Sequence, residues 1–165
     1  MITTKYKEVL AQVKELLKTE DLPAVEGLTA ICELLNKTLE AYDWVGFYFS
    51  DFESQMLHLK AYSGTPTEHT SIPFGKGICG QVALSNENFV VPDVASQDNY
   101  IACSVDVRSE LVVPLFLEGK NIGQIDIDSK TLDPFSKEDE KLLGNVCNLV
   151  SSAFGKQLNQ LQHYE

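Results

Sequence analysis

Two cysteines and three carboxylates carry most of the chemistry this chain could perform. Cys103 follows Tyr100-Ile101-Ala102, precedes Glu110 by seven residues, and stands about one hairpin ahead of the triplet Asp126-Ile127-Asp128. Cys79 lies in the glycine-rich run Gly75-Lys76-Gly77-Ile78-Cys79-Gly80. A thiolate is a nucleophile and a redox centre only where it is accessible and its charge is stabilised. Strand side chains alternate between faces, so Ile125 and Ile127 are expected to point one way and Asp126 and Asp128 the other. The isoleucines pack a core, whereas the acids need either solvent or a polar pocket. Glu110 begins the neighbouring strand and adds a third acid to their face. Three carboxylates gathered there repel one another, and an outside cation relieves them; a ligand ammonium suffices. Trp44 and Tyr48, four residues apart on one face of an earlier strand, are placed to wall such a pocket by aromatic and cation–π contact. Core packing is the alternative for the two aromatics, and an exposed strand face the alternative for the two aspartates.

The remaining reactive residues read as inert. Cys32 and Cys147 fall on apolar helical stripes and behave as small buried hydrophobes. His58, His69 and His163 are scattered without ligand spacing and are expected at the surface. The segment Gly75-Lys76-Gly77 lacks the terminal Lys-Ser/Thr of a phosphate loop. There is no C-x-x-C pair, so no metal, zinc in particular, is expected.

A hydrophobic content of 44 % with 22 % charged residues describes a globular chain rather than a disordered one. Its 165 residues suit one domain, residues 1–165, large enough to bury a core. The formal charge of −11, with no Lys/Arg cluster to reverse it locally, argues against nucleic acid and against anionic lipid as partners. No apolar run is long enough to span a bilayer, and Met1-Ile2-Thr3-Thr4-Lys5 lacks a signal peptide's apolar stretch. The expected location is the cytoplasm, where the four cysteines are reduced.

Apolar positions at Tyr6, Val9, Leu10, Val13, Leu16 and Leu17 predict a helix over about 5–18, and a second follows Pro23 through Leu39. Trp44 to Phe49 predicts a strand, with a hairpin partner from Met56 to Tyr62 that places Leu57, Leu59 and Ala61 on one face. The glycine-rich turn leads into a short helix through about Leu84, and Phe89-Val90-Val91 reads as a brief strand. A polar loop, Asp93 to Tyr100, precedes the Cys103 region. Leu111–Leu117 and Asn121–Asp128 form a hairpin joined by Glu118-Gly119-Lys120, with Pro114 marking an edge or a bulge. A final helix opens at Ser136, with Asp139 completing a capping box. Helices at both ends with hairpins between them predict an α+β fold, an antiparallel sheet with helices on one face. The other face is left to the long middle segment from Ser63 to Ser109, where function is expected.

At these residues the chain resembles a known family. The segments Asp43-Trp44-Val45-Gly46-Phe47-Tyr48, Gly75 to Gly80, Val91-Pro92-Asp93-Val94, Ile101-Ala102-Cys103, Ser109 to Pro114 and Gly123 to Ser129 are similar, in order, to the free methionine-(R)-sulfoxide reductases, which are stand-alone GAF domains. The resemblance implies a GAF-like central antiparallel sheet, terminal helices on one face and a loop-enclosed pocket on the other. It implies Cys103 as catalytic cysteine, Cys79 as a second redox cysteine, Glu110, Asp126 and Asp128 as substrate-pocket acids, and Trp44 and Tyr48 as pocket aromatics. The implied reaction is reduction of free L-methionine-(R)-S-oxide, with no bound cofactor, thioredoxin as reductant, and a homodimer as the common assembly. The chain departs from the family at His69, where a third, resolving cysteine is usual, and at Tyr100, where histidine is frequent. A GAF protein that binds a small molecule without catalysis is the alternative.

Overall fold

The computed structural model describes residues 2–98 and 106–162. Cys103, Tyr100 and His163 lie outside the described residues. In chain order the elements are α1 (Ile2–Leu17), α2 (Ala24–Thr38), β1 (Trp44–Asp51), β2 (Met56–Ser63), β3 (Ser71–Pro73), α3 (Gly77–Ser85), β4 (Phe89–Val91), β5 (Ser109–Leu117), β6 (Lys120–Ser129), α4 (Lys137–Phe154) and α5 (Gln157–Gln162). One six-stranded sheet runs β3-β2-β1-β6-β5-β4, antiparallel throughout. The two hairpins expected from the sequence are thus joined side by side through β1 and β6.

Period-two alternation divides β1 between two cores. Val45, Phe47 and Phe49 join Ile125 and Ile127 of β6 in a large core beneath α1, α2, α4 and α5. Trp44 and Tyr48 point the other way, into a smaller core built with Ile78, Cys79 and Val82 of α3 and with Val91 and Val112. Cys32 and Cys147 are buried in the large core, and burial pushes the Cys147 thiol up to about 12, as expected for inert cysteines.

The sequence reading of β2 needs one correction. The β1–β2 register shifts between Phe47 and Tyr48, leaving Lys60 as the extra residue of a bulge. The slip turns Ala61 into the helical core while Leu57 and Leu59 stay on the α3 side, so the three do not share a face. Short β3, the 3₁₀ turn at Val94–Ser96 and α5 were not anticipated. The β5–β6 turn is Glu118-Gly119 alone, with φ of 52° and 81°, because Leu117 already pairs with Lys120. Positive φ at both positions is the signature of a type I′ hairpin turn. Pro114 sits inside the sheet's order, yet β4 pairs only as far as Val112, so its missing N–H faces a locally open edge. A register shift between Leu115 and Phe116 follows directly.

The capping box is present: Ser136 caps α4, and the Asp139 carboxylate accepts from the Ser136 backbone N–H at 2.8 Å. Asp139 also accepts from the Tyr6 and Tyr42 hydroxyls at 2.6 and 2.7 Å, fastening α1 and the α2–β1 connection to α4. Replacing Asp139 with alanine is expected to destabilise the fold by about 3 kcal/mol, because it removes a cap and orphans two tyrosine hydroxyls. Urea unfolding measures this, and a loss below about 1 kcal/mol would contradict it.

Candidate active site

The sheet register brings the three acids together. Glu110 of β5 stands directly opposite Asp128 of β6, and Asp128 stands opposite Trp44 of β1. Two residues along, Asp126 lies between Val112 and Gly46, and a further step on, Gln124 lies opposite Tyr48. All of these point to the α3 side of the sheet. The acids are not a solvated strand face, since Glu110 is 4 % exposed and Asp126 and Asp128 are 1 % exposed. Directly opposed like charges are unfavourable, and burying them away from water more so. An arrangement of that kind persists where a group of opposite charge is meant to enter.

Helix α3 lays Cys79 over the acids. Cys79 Sγ lies 3.9 Å from Glu110 Oε2, and Gln124 Nε2 donates to the Cys79 carbonyl at 3.1 Å. The close seating of α3 depends on Gly80, where a Cβ would come within 2.6 Å of the Pro73 carbonyl oxygen. Burial pushes the Cys79 thiol well above its ordinary value, and the charges of Asp126, Glu110 and Asp128 push it further. Cys79 therefore holds its proton while the acids beside it carry negative charge. Burial also raises Asp126, against smaller opposing contributions from hydrogen bonds with Glu110 and Cys79. One carboxyl of the cluster thus retains a proton to higher pH than an exposed aspartate does.

An acid held up by burial keeps its proton in the folded chain at pH values where the unfolded chain has lost it. The stability this contributes is fully present below the unfolded value, near 3.8, and is lost as pH rises from there through the higher folded value. At neutral pH Asp126 is then a liability to the fold. Asp126→Asn, whose amide can donate to Glu110, is expected to raise the melting temperature at pH 7 by a few degrees, about 2–4 °C per kcal/mol. The gain should shrink toward pH 4, and calorimetry at the two pH values tests both statements.

The aromatics form one wall. The Trp44 and Tyr48 ring centroids are 6.4 Å apart, and Trp44 stacks on Tyr62 at 5.8 Å. Trp44 Nε1 donates to the Thr65 carbonyl, and the Tyr48 hydroxyl donates to the His69 carbonyl at 2.9 Å. The indole lies over Gly46, where a Cβ would come within 2.3 Å of Trp44 Cη2. Any larger residue at that position displaces the wall.

Sequence reasoning missed His69, which is half-buried and lines the same pocket as Cys79, Glu110, Asp126 and Lys76. Its position ten residues before Cys79 was the available signal. His58, by contrast, pairs with Ser71 Oγ at 2.9 Å across the β2–β3 edge. The void within the pocket is about 10 Å³, close to one water molecule, so an amino acid enters only as the lining parts. A larger open depression of about 510 Å³ lies on the helical side beside Tyr6, Tyr42 and Asp139. There the polar groups already satisfy one another, and no thiol is present. Among the described residues, no helix is long and apolar enough to cross a membrane.

Comparison with known proteins agrees with this geometry. The GAF domain family model matches residues 25–154. GAF domain-containing protein A of Dictyostelium discoideum is 34 % identical over 148 residues, covering 90 % of this chain and 91 % of that protein. The free methionine-R-sulfoxide reductase of Saccharomyces cerevisiae is 35 % identical over 113 residues, 67 % of this chain and 62 % of that one. The X-ray structure of free methionine-R-sulfoxide reductase from Neisseria meningitidis in complex with its substrate superposes with a TM-score of 0.85 at 37 % identity, over 94 % of this chain and 90 % of that chain. The curled antiparallel sheet, the acids beneath α3 and these matches agree: the chain belongs to the GAF-domain family, among its free methionine-(R)-sulfoxide reductases.

Proposed function

We propose that this enzyme reduces free L-methionine-(R)-S-oxide to L-methionine, using Cys103 as nucleophile and thioredoxin to restore the thiol. The observation that carries the reading is the buried triad of Glu110, Asp126 and Asp128, walled by Trp44 and Tyr48. A free amino acid supplies the ammonium that such a triad needs. The aromatic wall suits the thioether end of the substrate.

The Cys103 thiolate forms a bond to the sulfoxide sulfur, and the sulfoxide oxygen takes a proton from an acid of the triad. Asp126, held up by burial, is poised to give it. The oxygen then passes to the Cys103 sulfur as the bond to the substrate sulfur breaks. Methionine leaves reduced by two electrons, and Cys103 is left as a sulfenic acid, oxidised by two. A second thiol attacks the sulfenic sulfur, releasing water and forming a disulfide that thioredoxin opens. With His69 at the usual resolving position, Cys79, a thiol that lines the pocket, takes that step. A substrate ammonium among the acids offsets the charges that keep Cys79 protonated, which favours its thiolate. The medium of action is the cytoplasm, and a homodimer is the assembly.

The charge requirement gives a direct test. N-acetyl-methionine sulfoxide lacks the ammonium, so its kcat/KM is expected to fall by at least about a hundred-fold, the worth of two charge-assisted hydrogen bonds. Thioredoxin-coupled NADPH consumption measures the ratio, and equal rates for the two substrates would overturn the role given to the acids.

A further inference from the structure

The same corner of the site has the composition of a cation site for a thiophilic metal. Cys79 Sγ and one carboxylate oxygen each from Glu110 and Asp126 all lie within 4.8 Å of one another, and all three residues are buried. Cys79 Sγ stands 3.9 Å from Glu110 Oε2. In a tetrahedral zinc site, with Zn–S about 2.3 Å and Zn–O about 2.0–2.2 Å, the sulfur and oxygen ligands stand about 3.5 Å apart. Cys79 Sγ and Glu110 Oε2 therefore need to close by only a few tenths of an ångström, and the Asp126 oxygen starts within 4.8 Å of both.

A second observation points to a missing partner. Asp126 is 1 % exposed, and its Oδ1 has no hydrogen-bond partner among the described residues. A buried acceptor left in that state is unfavourable, and a coordinated ion removes the penalty. Cys79, Glu110 and Asp126 all line the void of about 10 Å³, which is the size of one ion or water. The donor set selects the metal: one sulfur with two oxygens favours zinc-class cations, whereas magnesium and calcium take oxygen alone.

We infer that a divalent zinc-class cation binds between Cys79 Sγ, Glu110 and Asp126, blocking the site to an ammonium-bearing ligand. On binding, the Cys79 S–H bond is replaced by S–metal and the proton passes to solvent; no electrons are exchanged. The inference stands whether or not the chain reduces methionine sulfoxide, because it is read by metal binding alone.

Cobalt(II) is the probe, titrated anaerobically into the reduced full chain. The expected result is a thiolate-to-cobalt charge-transfer band that saturates at one equivalent, together with the visible bands of tetrahedral cobalt. Cys79→Ser should abolish the charge-transfer band, whereas Cys103→Ser should keep it. Asp126→Asn, which leaves the thiol in place, should keep the band and weaken cobalt binding by at least about tenfold. Absence of the band from the unmodified chain, its persistence in Cys79→Ser, its loss in Cys103→Ser, or unchanged affinity in Asp126→Asn would each overturn the assignment.

Discussion

Cys103→Ser is expected to lower turnover with free methionine-(R)-sulfoxide by at least about a thousand-fold, since a hydroxyl cannot replace a thiolate in attack on sulfur. The melting temperature, measured alongside, separates lost chemistry from a lost fold. Cys79→Ser should behave differently. If Cys79 is the resolving thiol, a single turnover survives and only recycling by thioredoxin slows. The separation of a first turnover from steady-state cycling therefore assigns the two thiols to their steps. Equal steady-state rates for Cys103→Ser and the unmodified enzyme would remove the nucleophile from the account.

The second large effect concerns the opposed pair Glu110 and Asp128. In the proposed complex each carboxylate would contribute a charge-assisted hydrogen bond of about 1.5–3 kcal/mol to the ammonium. Glu110→Gln or Asp128→Asn alone should thus reduce kcat/KM by about 10- to 100-fold, and the double variant by about a thousand-fold or more. Loss expressed in KM identifies an anchoring role, whereas loss in kcat identifies the proton donor. Because Glu110 and Asp128 face each other across one rung of the sheet, their effects should not simply add. Their removal relieves buried charge, so the variants should be at least as stable as the parent, a combination of lower activity and undiminished stability that a folding defect cannot produce.

Much of this site was legible because it lies on regular strands. The Asp-x-Asp spacing of Asp126 and Asp128 and the four-residue spacing of Trp44 and Tyr48 each fix a face by alternation alone. Glu110 joins them only through the register shift between Leu115 and Phe116, since the two-residue turn alone would set it opposite Ile127 rather than Asp128. Burial of the triad did not follow, because period two says only that the acids share a face, not whether a helix covers it. That cover is α3, whose docking depends on tertiary contacts at Gly80. The bulge at Lys60 was equally hidden: Leu57, Leu59 and Ala61 alternate perfectly in sequence, and only the pairing with β1 reveals the slipped residue. β3 escaped notice because Ser71-Ile72-Pro73 is three residues long and ends in proline, which reads as loop. His69 looked like a surface residue because it belongs to no periodic element. Cys103 remains an assignment from sequence and resemblance, since it lies outside the described residues.

The central claim is that a thiol of this chain takes the oxygen of a free amino-acid sulfoxide beside the buried acids. Incubating the reduced enzyme with free methionine-(R)-sulfoxide and no recycling system tests it most directly, with methionine quantified and the cysteines read by mass spectrometry. The account predicts about one methionine per chain, with Cys103 carrying an added oxygen or bridged to Cys79. Absence of methionine, or the same yield from Cys103→Ser, would contradict it.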